Sequence, residues 1–232
     1  MADGRLSAAD ALQGGWRFGQ TMTPLIWVLA AYFAGSLPTS FVVGKMIGGM
    51  DLRREGSGNL GATNVYRAMG LRVAVPVGLV DVAKGWLPAW LFPMLDGGAA
   101  DGWAAAYGAA AILGHTFSCW VRFRGGKGVA TAAGAFLALS PLAVLAAALV
   151  WALVLAMRGI VSLASIAAAV ALPATVLAGN AAGRAQDPWV TGFAILAGAF
   201  VVWAHRSNIG RLLRGEEKRI NDDRRAGRGE GG

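Results

Sequence analysis

Long apolar runs constrain this chain more than any other feature. They lie at 24–48, 71–95, 103–121, 129–157, 159–180 and 189–205 of its 232 residues. A helix needs about 20 apolar residues to cross a hydrocarbon core of ~30 Å, where backbone polar groups must be satisfied without water. Runs of this length fit a bundle of membrane-crossing helices and little else. Composition agrees: charged residues make up 15 % of the chain and the mean hydropathy is +0.51, whereas a soluble domain carries about 25 % charged residues. Disorder is excluded by the apolar content, and the single Cys119 cannot build a disulfide scaffold.

The run from Val129 to Met157 is too long for one crossing and contains Ser140-Pro141. Proline ends or kinks a helix at the residue before it, which predicts two helices, 129–139 and 141–157, joined by a tight turn. The fold class expected is therefore all-α, a polytopic integral membrane bundle of seven transmembrane helices. Charge orients it. Segments 45–72, 122–127 and the tail from His205 each net +3, and Arg158 adds +1, while the connections between them are neutral or acidic. Cytoplasmic loops collect Lys and Arg. Seven helices place every basic segment on one side, with the N-terminus outside and the C-terminus cytoplasmic; six would break the alternation. Residues 1–22 and 218–232 are expected to be flexible tails around a single membrane domain, 23–217. The sequence pI near 10.5 is then the topology signal plus attraction to anionic membrane lipids, and no nucleic-acid partner is expected.

Unusual residues gather in the basic loops. The first, Asp51 to Arg67, includes Gly56-Ser57-Gly58-Asn59-Leu60-Gly61. Three glycines in six residues let backbone N–H groups converge, and Ser57, Asn59, Thr63, Asn64 and the forked Arg67 add donors suited to a phosphate. The second, Arg122-Phe123-Arg124-Gly125-Gly126-Lys127-Gly128, opens directly onto a helix, so its N–H groups and positive dipole end suit an anion. It is not a nucleotide-binding Walker loop, because Gly128 follows the lysine where Ser or Thr is needed. Asp81 and Lys84, at i and i+3 within an apolar run, share a helix face and are expected either to pair or to serve the site. His115 and His205 fall late in their helices. With two histidines and one cysteine no metal constellation assembles, and Cys119, in an apolar run without an activating base, reads as packing. Neither a metal nor a cofactor is expected.

Five of these motifs, in this order, resemble the acyl-phosphate-dependent glycerol-3-phosphate acyltransferase family of bacteria (the PlsY type). They are Gly35-Ser36-Leu37-Pro38 with Lys45; Gly56 to Arg67; Asp81-Val82-Ala83-Lys84-Gly85; Gly114-His115 through Thr131; and His205 to Glu216. The resemblance spans about residues 25–217. It implies transfer of a fatty acyl group from acyl phosphate to the 1-hydroxyl of sn-glycerol 3-phosphate, giving lysophosphatidic acid and phosphate in phospholipid biosynthesis at the bacterial inner membrane, with the active site on the cytoplasmic face. It implies catalytic roles for Ser57, Arg67, Lys127, His205 and Asn208, and a substrate-binding set of Ser57, Gly58, Asn59, Asn64, Arg67, Lys84, His115, Gly125, Gly126, Lys127 and Gly128. A structural glutamate matches Glu216. Ser118 departs from the family, which often has proline there, and the N-terminal extension is long. The sequence leaves the oligomeric state open, and a monomer is compatible with it.

The residues fit such chemistry. Both substrates are phosphorylated, and an acyl phosphate is already activated, so orientation and charge neutralisation suffice without an acyl-enzyme. A strong base beside Ser57 is missing, which argues against a serine nucleophile; the proton acceptor is expected to be a substrate phosphate oxygen or His205. A transporter of phosphorylated small molecules is the alternative. It calls for repeats and midplane binding groups, whereas these groups cluster at one face. An acyltransferase using CoA or acyl carrier protein fits less well, since Trp120 and Gly210 stand where an aspartate would follow His115 and His205.

Overall fold

The computed structural model describes residues 23–97, 101–220 and 222; the tail expected at 1–22, and that expected at 218–232 apart from 218–220 and 222, lie outside the described residues. Among these, all regular structure is helical: α1 (23–36), α2 (Thr39–Gly48), α3 (Ala62–Met69), α4 (Leu71–Leu95), α5 (Trp103–Thr116), α6 (Val129–Leu139), α7 (Pro141–Arg158), α8 (Val161–Ala181), α9 (Pro188–Ala204) and α10 (Arg206–Leu213). The break expected at Ser140-Pro141 is present. Proline fits the first helical position because its missing N–H would be unsatisfied there anyway.

Two expected runs are shorter or more broken than their hydropathy indicated. The helix read as 24–48 stops at Leu37-Pro38 and restarts as α2, since proline supplies no N–H to continue the ladder. The carbonyls freed there are taken up by side chains distant in the sequence: Lys84 Nζ of α4 donates to Leu37 O at 3.0 Å, and the hydroxyl of Ser118, just beyond α5, donates to Ser36 O. A proline at position 118 would have no hydroxyl to give. The run 103–121 ends as a helix at Thr116 and becomes a 3-10 turn, Cys119–Val121, in which Cys119 is half-exposed. The first basic loop contains a helix, α3, that polarity had concealed.

Glycine sets how closely the helices pack. On α4 and α6 the contact is reciprocal: a Cβ on Gly85 would strike Thr131 O, and one on Gly134 would strike Val82 O. The α1–α5 pair repeats the pattern, Gly35 against Ala111 O and Gly114 against Tyr32 O. Apolar helices in lipid gain no hydrophobic drive from meeting one another, so close backbone approach and dispersion hold them. A core of small and aromatic side chains from α5 to α9 includes Ala135, Phe136, Phe193 and Ala194. A smaller cluster of Leu52, Leu60, Val65 and Val77 clamps the first basic loop onto α4.

Outward faces suit lipid, with Leu145, Leu149 and Leu153 of α7 exposed. By length and composition, three stretches can cross a membrane, Thr23–Gly48, Pro141–Arg158 and Val161–Ala181, and a fourth does if the bent pair Pro188–Ala204 and Arg206–Leu213 is one span.

Candidate functional site

One cavity of about 400 Å³ collects residues from all three basic segments. Its polar end carries Ser57, Asn59, Arg67, Lys127, His205, Asn208 and Glu217, and its apolar end Val144, Ala147, Ala168, Ala169, Leu172 and Val201. The chain folds three helix N-termini against the polar end: Gly61 to Thr63 of α3, Gly128 to Ala130 of α6, and Val161 with Ser162 of α8. First-turn N–H groups have no helical acceptor and carry the positive end of the helix dipole, so this end of the cavity is built for anions.

Asn64 shapes the first loop. Its amide N–H groups donate to Leu52 O and Glu55 O, both at 3.0 Å, while its Oδ1 accepts from Ser57 N at 3.0 Å. Gly56 (φ +55) and Gly58 (φ +69) supply the left-handed turns this requires. Asn64 lines the cavity, but its donors are committed to the backbone, so its part is to aim Ser57 and Asn59. Gly58 lies off the cavity, with its N–H on Glu55 O.

The second loop differs from the expected glycine cradle. Gly125 N donates to Thr116 O and Gly126 N to His115 O, at 3.0 and 3.1 Å. A Cβ at Gly125 would strike His115 O, and one at Gly126 would strike the His115 ring and Leu60 O. These two glycines therefore fasten the loop to the end of α5, and their N–H groups are not offered to a ligand. Lys127 and Gly128 face the cavity. Gly128 (φ +78) turns the chain into α6, and Lys127 Nζ donates to Asn208 Oδ1.

Lys84 is also placed differently. It lies off the main cavity, 2.8 Å from Asp81 Oδ1 and bonded to Leu37 O. This buried pair thus braces the α1–α2 break. Asp81 and His115 reach the cavity, with His115 Nδ1 3.8 Å from Asp81 Oδ1.

The third segment holds a carboxylate the sequence reading missed. Glu217 Oε1 accepts from Ser162 Oγ at 2.7 Å and from Asn208 Nδ2, and Oε2 from Arg211 Nε at 2.6 Å. Glu216 is exposed and pairs with Arg214, so the structural glutamate is Glu217. Burial works against its charged form, yet the bonds from Ser162, Asn208 and Arg211 hold its carboxyl below the ordinary carboxylate value. Ser162, Ser165 and Trp151, from α7 and α8, were missed as well; nothing in their local sequence signals a site. His205 sits where α9 and α10 bend by 57°. Its Nδ1 is 2.8 Å from Val201 O; a carbonyl only accepts, so Nδ1 carries the proton and Nε2 keeps the lone pair in the neutral ring.

Burial, opposed by Glu217 and reinforced by Arg211 and Arg67, pushes the Lys127 ammonium down to about 8. The cation is therefore lost as pH rises through that value rather than near the usual lysine range. A basic limb near pH 8 is expected in kcat/KM, which reports free-enzyme ionisations, and Lys127→Arg should move it upward because guanidinium stays charged. An unchanged limb in that variant would remove Lys127 from its origin. Glu217→Ala, which frees Asn208 and Arg211, is expected to lower kcat by about tenfold to a hundredfold, the worth of charge-assisted hydrogen bonds; steady-state turnover of purified protein tests it.

The family described as "Glycerol-3-phosphate acyltransferase" matches residues 25–215. Proteins named glycerol-3-phosphate acyltransferase are similar along nearly their whole length. That of Trichlorobacter lovleyi is 44 % identical over 84 % of this chain and 97 % of its own, and that of Geobacter sulfurreducens 42 % identical over 86 % and 98 %. Two crystal structures of PlsY (YgiH), an integral membrane glycerol 3-phosphate acyltransferase, share the fold. The glycerol 3-phosphate form has a TM-score of 0.76 at 41 % identity, and the lysophosphatidic acid form 0.73 at 38 %; each comparison covers 84 % of this chain and 94 % of the other.

Proposed function

Since the chain belongs to the glycerol-3-phosphate acyltransferase family and is a membrane acyltransferase, we propose that it moves a fatty acyl group from acyl phosphate to the 1-hydroxyl of sn-glycerol 3-phosphate, releasing lysophosphatidic acid and inorganic phosphate. The observation that carries this reading is the single cavity that is cationic at one end and apolar at the other. Two phosphorylated reactants need the first end and an acyl chain the second. A transport path would spread its polar groups along the cavity instead of collecting them at one end.

In this reading the acceptor hydroxyl attacks the acyl carbonyl, an ester C–O bond forms, and the bond from the acyl carbon to the phosphate oxygen breaks. Lys127 and Arg67, with the N-termini of α3, α6 and α8, neutralise the departing phosphate and the carbonyl oxygen. Ser57 and Asn59 orient the acceptor. Among the described residues no histidine or carboxylate hydrogen-bonds to the Ser57 hydroxyl, which supports direct transfer over an acyl-serine. The proton passes to a phosphate oxygen or to His205 Nε2. His205→Gln separates the two, because a silent substitution leaves the phosphate as acceptor. Lys84, Gly125 and Gly126 act from behind the cavity wall.

Residues 23–217 serve as one domain with seven spans, N-terminus outside and the cavity's polar end at the cytoplasmic face of the inner membrane; the basic loops that meet there support this orientation. The deciding experiment mixes purified protein with acyl phosphate and labelled glycerol 3-phosphate. Labelled lysolipid with released phosphate, and none from acyl-CoA, is expected; product from acyl-CoA alone would overturn the donor assignment.

A further inference from the structure

The apolar end of the cavity stops abruptly, and where it stops carries information about the donor. Along α8 one face lines the cavity, through Ser162, Ser165, Ala169 and Leu172; the next residue on that face, Val176, is buried in the same core as Leu172 but does not line the cavity. On α7, packed alongside, the lining runs from Trp151 through Ala148 and Ala147 to Val144 and ends there. Small side chains thus leave the space, and Leu172 with Val144 closes it.

That floor is stiff. Pro173 follows Leu172 within α8 and supplies no N–H to the carbonyl of Ala169. Gly198 of α9 lies against this carbonyl, where a Cβ would sit 2.5 Å from Ala169 O and 3.2 Å from Pro173 Cγ. The wall bearing Leu172 is therefore held by a backbone contact that has no slack. At the other end of the groove, Trp151 Nε1 donates to Ser165 Oγ at 3.2 Å, pinning α7 to α8.

We infer that Leu172 and Val144 form a fixed floor that limits how much of the donor's acyl chain this enzyme grips, which makes them chain-length determinants. The inference rests on the acyl-phosphate reading above. From Ser162 or Ser165, the last polar groups on this wall, to Leu172 the helix advances about 10 to 15 Å at 1.5 Å per residue. An extended chain of carbon–carbon bonds of about 1.5 Å advances about 1.3 Å per carbon, so the groove holds about eight to twelve carbons. Because the donor leaves a bilayer as apolar as the groove, each carbon gripped gains packing contacts rather than removal from water and contributes about twofold in kcat/KM, and carbons beyond the floor contribute nothing.

The test measures kcat/KM for saturated acyl phosphates from about eight to about eighteen carbons, with the full-length protein in lipid nanodiscs. Wild type is expected to rise to about twelve carbons and then level. Leu172→Ala should move the break about two carbons longer and raise the ratio of a donor two carbons past the wild-type break to one at the break about fourfold. Val144→Phe, from the facing helix, should move it shorter. Ratios are read within each variant, so a uniform loss of active protein cancels, and the two substitutions act in opposite directions. A profile that climbs unbroken to the longest donor, or a break that neither variant shifts, overturns the floor while leaving the donor assignment intact. Failure of wild type to use any acyl phosphate overturns the donor assignment, and the floor with it.

Discussion

Lys127→Ala is expected to lower kcat by about 10²–10³-fold without unfolding the protein. Lys127 is the cation of the second loop that faces the cavity, and its ammonium is bonded to a neutral amide, Asn208. The nearby carboxylate, Glu217, is held by Ser162, Asn208 and Arg211, so the lysine charge is left for a substrate phosphate. Charge that develops on a departing phosphate in a site with little water is stabilised far more by a fixed cation than by solvent, and removing one preorganised group of this kind costs about 10²–10³-fold. Lys127→Arg should recover only part of the loss, because a planar fork does not replace a compact ammonium. Arg67→Ala should fall in the same range. If both side chains hold the same phosphate, the double variant will be less impaired than the product of the two single losses. Near-normal turnover in either alanine variant, measured on purified protein at saturating substrate, would end the electrostatic account.

Gly134→Ala is expected to damage the fold severely for the addition of one methyl group. The added methyl would fall onto Val82 O, with Val82 C at 2.8 Å and Trp86 N at 3.0 Å. Those are backbone atoms, which cannot rotate aside, so α4 and α6 must separate. Overpacking of a tight core costs about 1–3 kcal/mol, and parting these helices also gives up the reciprocal contact of Gly85 with Thr131. A fall of roughly 5–10 °C in apparent Tm follows for a chain of this size, with loss of activity, because α6 carries Gly128 and the anchor of Lys127. The control is Gly192→Ala on α9, where no atom lies within 4 Å of the added methyl; alanine there should be neutral or mildly stabilising. Equal thermal inactivation of the two variants would mean that the α4–α6 contact does not limit stability.

Much of the site was legible from local chemistry. Ser57, Asn59, Arg67, Lys127, His205 and Asn208 stand out as polar groups at the ends of apolar runs, and the fold brings all six to one cavity. The same reading erred where a residue's partner is distant in the chain. Gly125 and Gly126 look like a phosphate cradle, but their N–H groups are consumed by the end of α5. Glu216 and Glu217 are adjacent, and which one turns inward is decided by Ser162, 55 residues away from Glu217. The break at Pro38 obeys the proline rule that located Pro141, yet it hides inside an apolar run because its freed carbonyls are satisfied by Lys84 and Ser118.

The sequence alone determined the solvent this protein folds in, since hydropathy and run length depend only on neighbouring residues. It also determined the helix break at Ser140-Pro141 and the identity of the cations. Only the tertiary structure decided which glycines pack and which turn the chain, which glutamate enters the cavity, and where the apolar groove ends. Those outcomes depend on backbone approaches between helices far apart in the chain, and a glycine or a leucine carries no local mark of the surface it will meet.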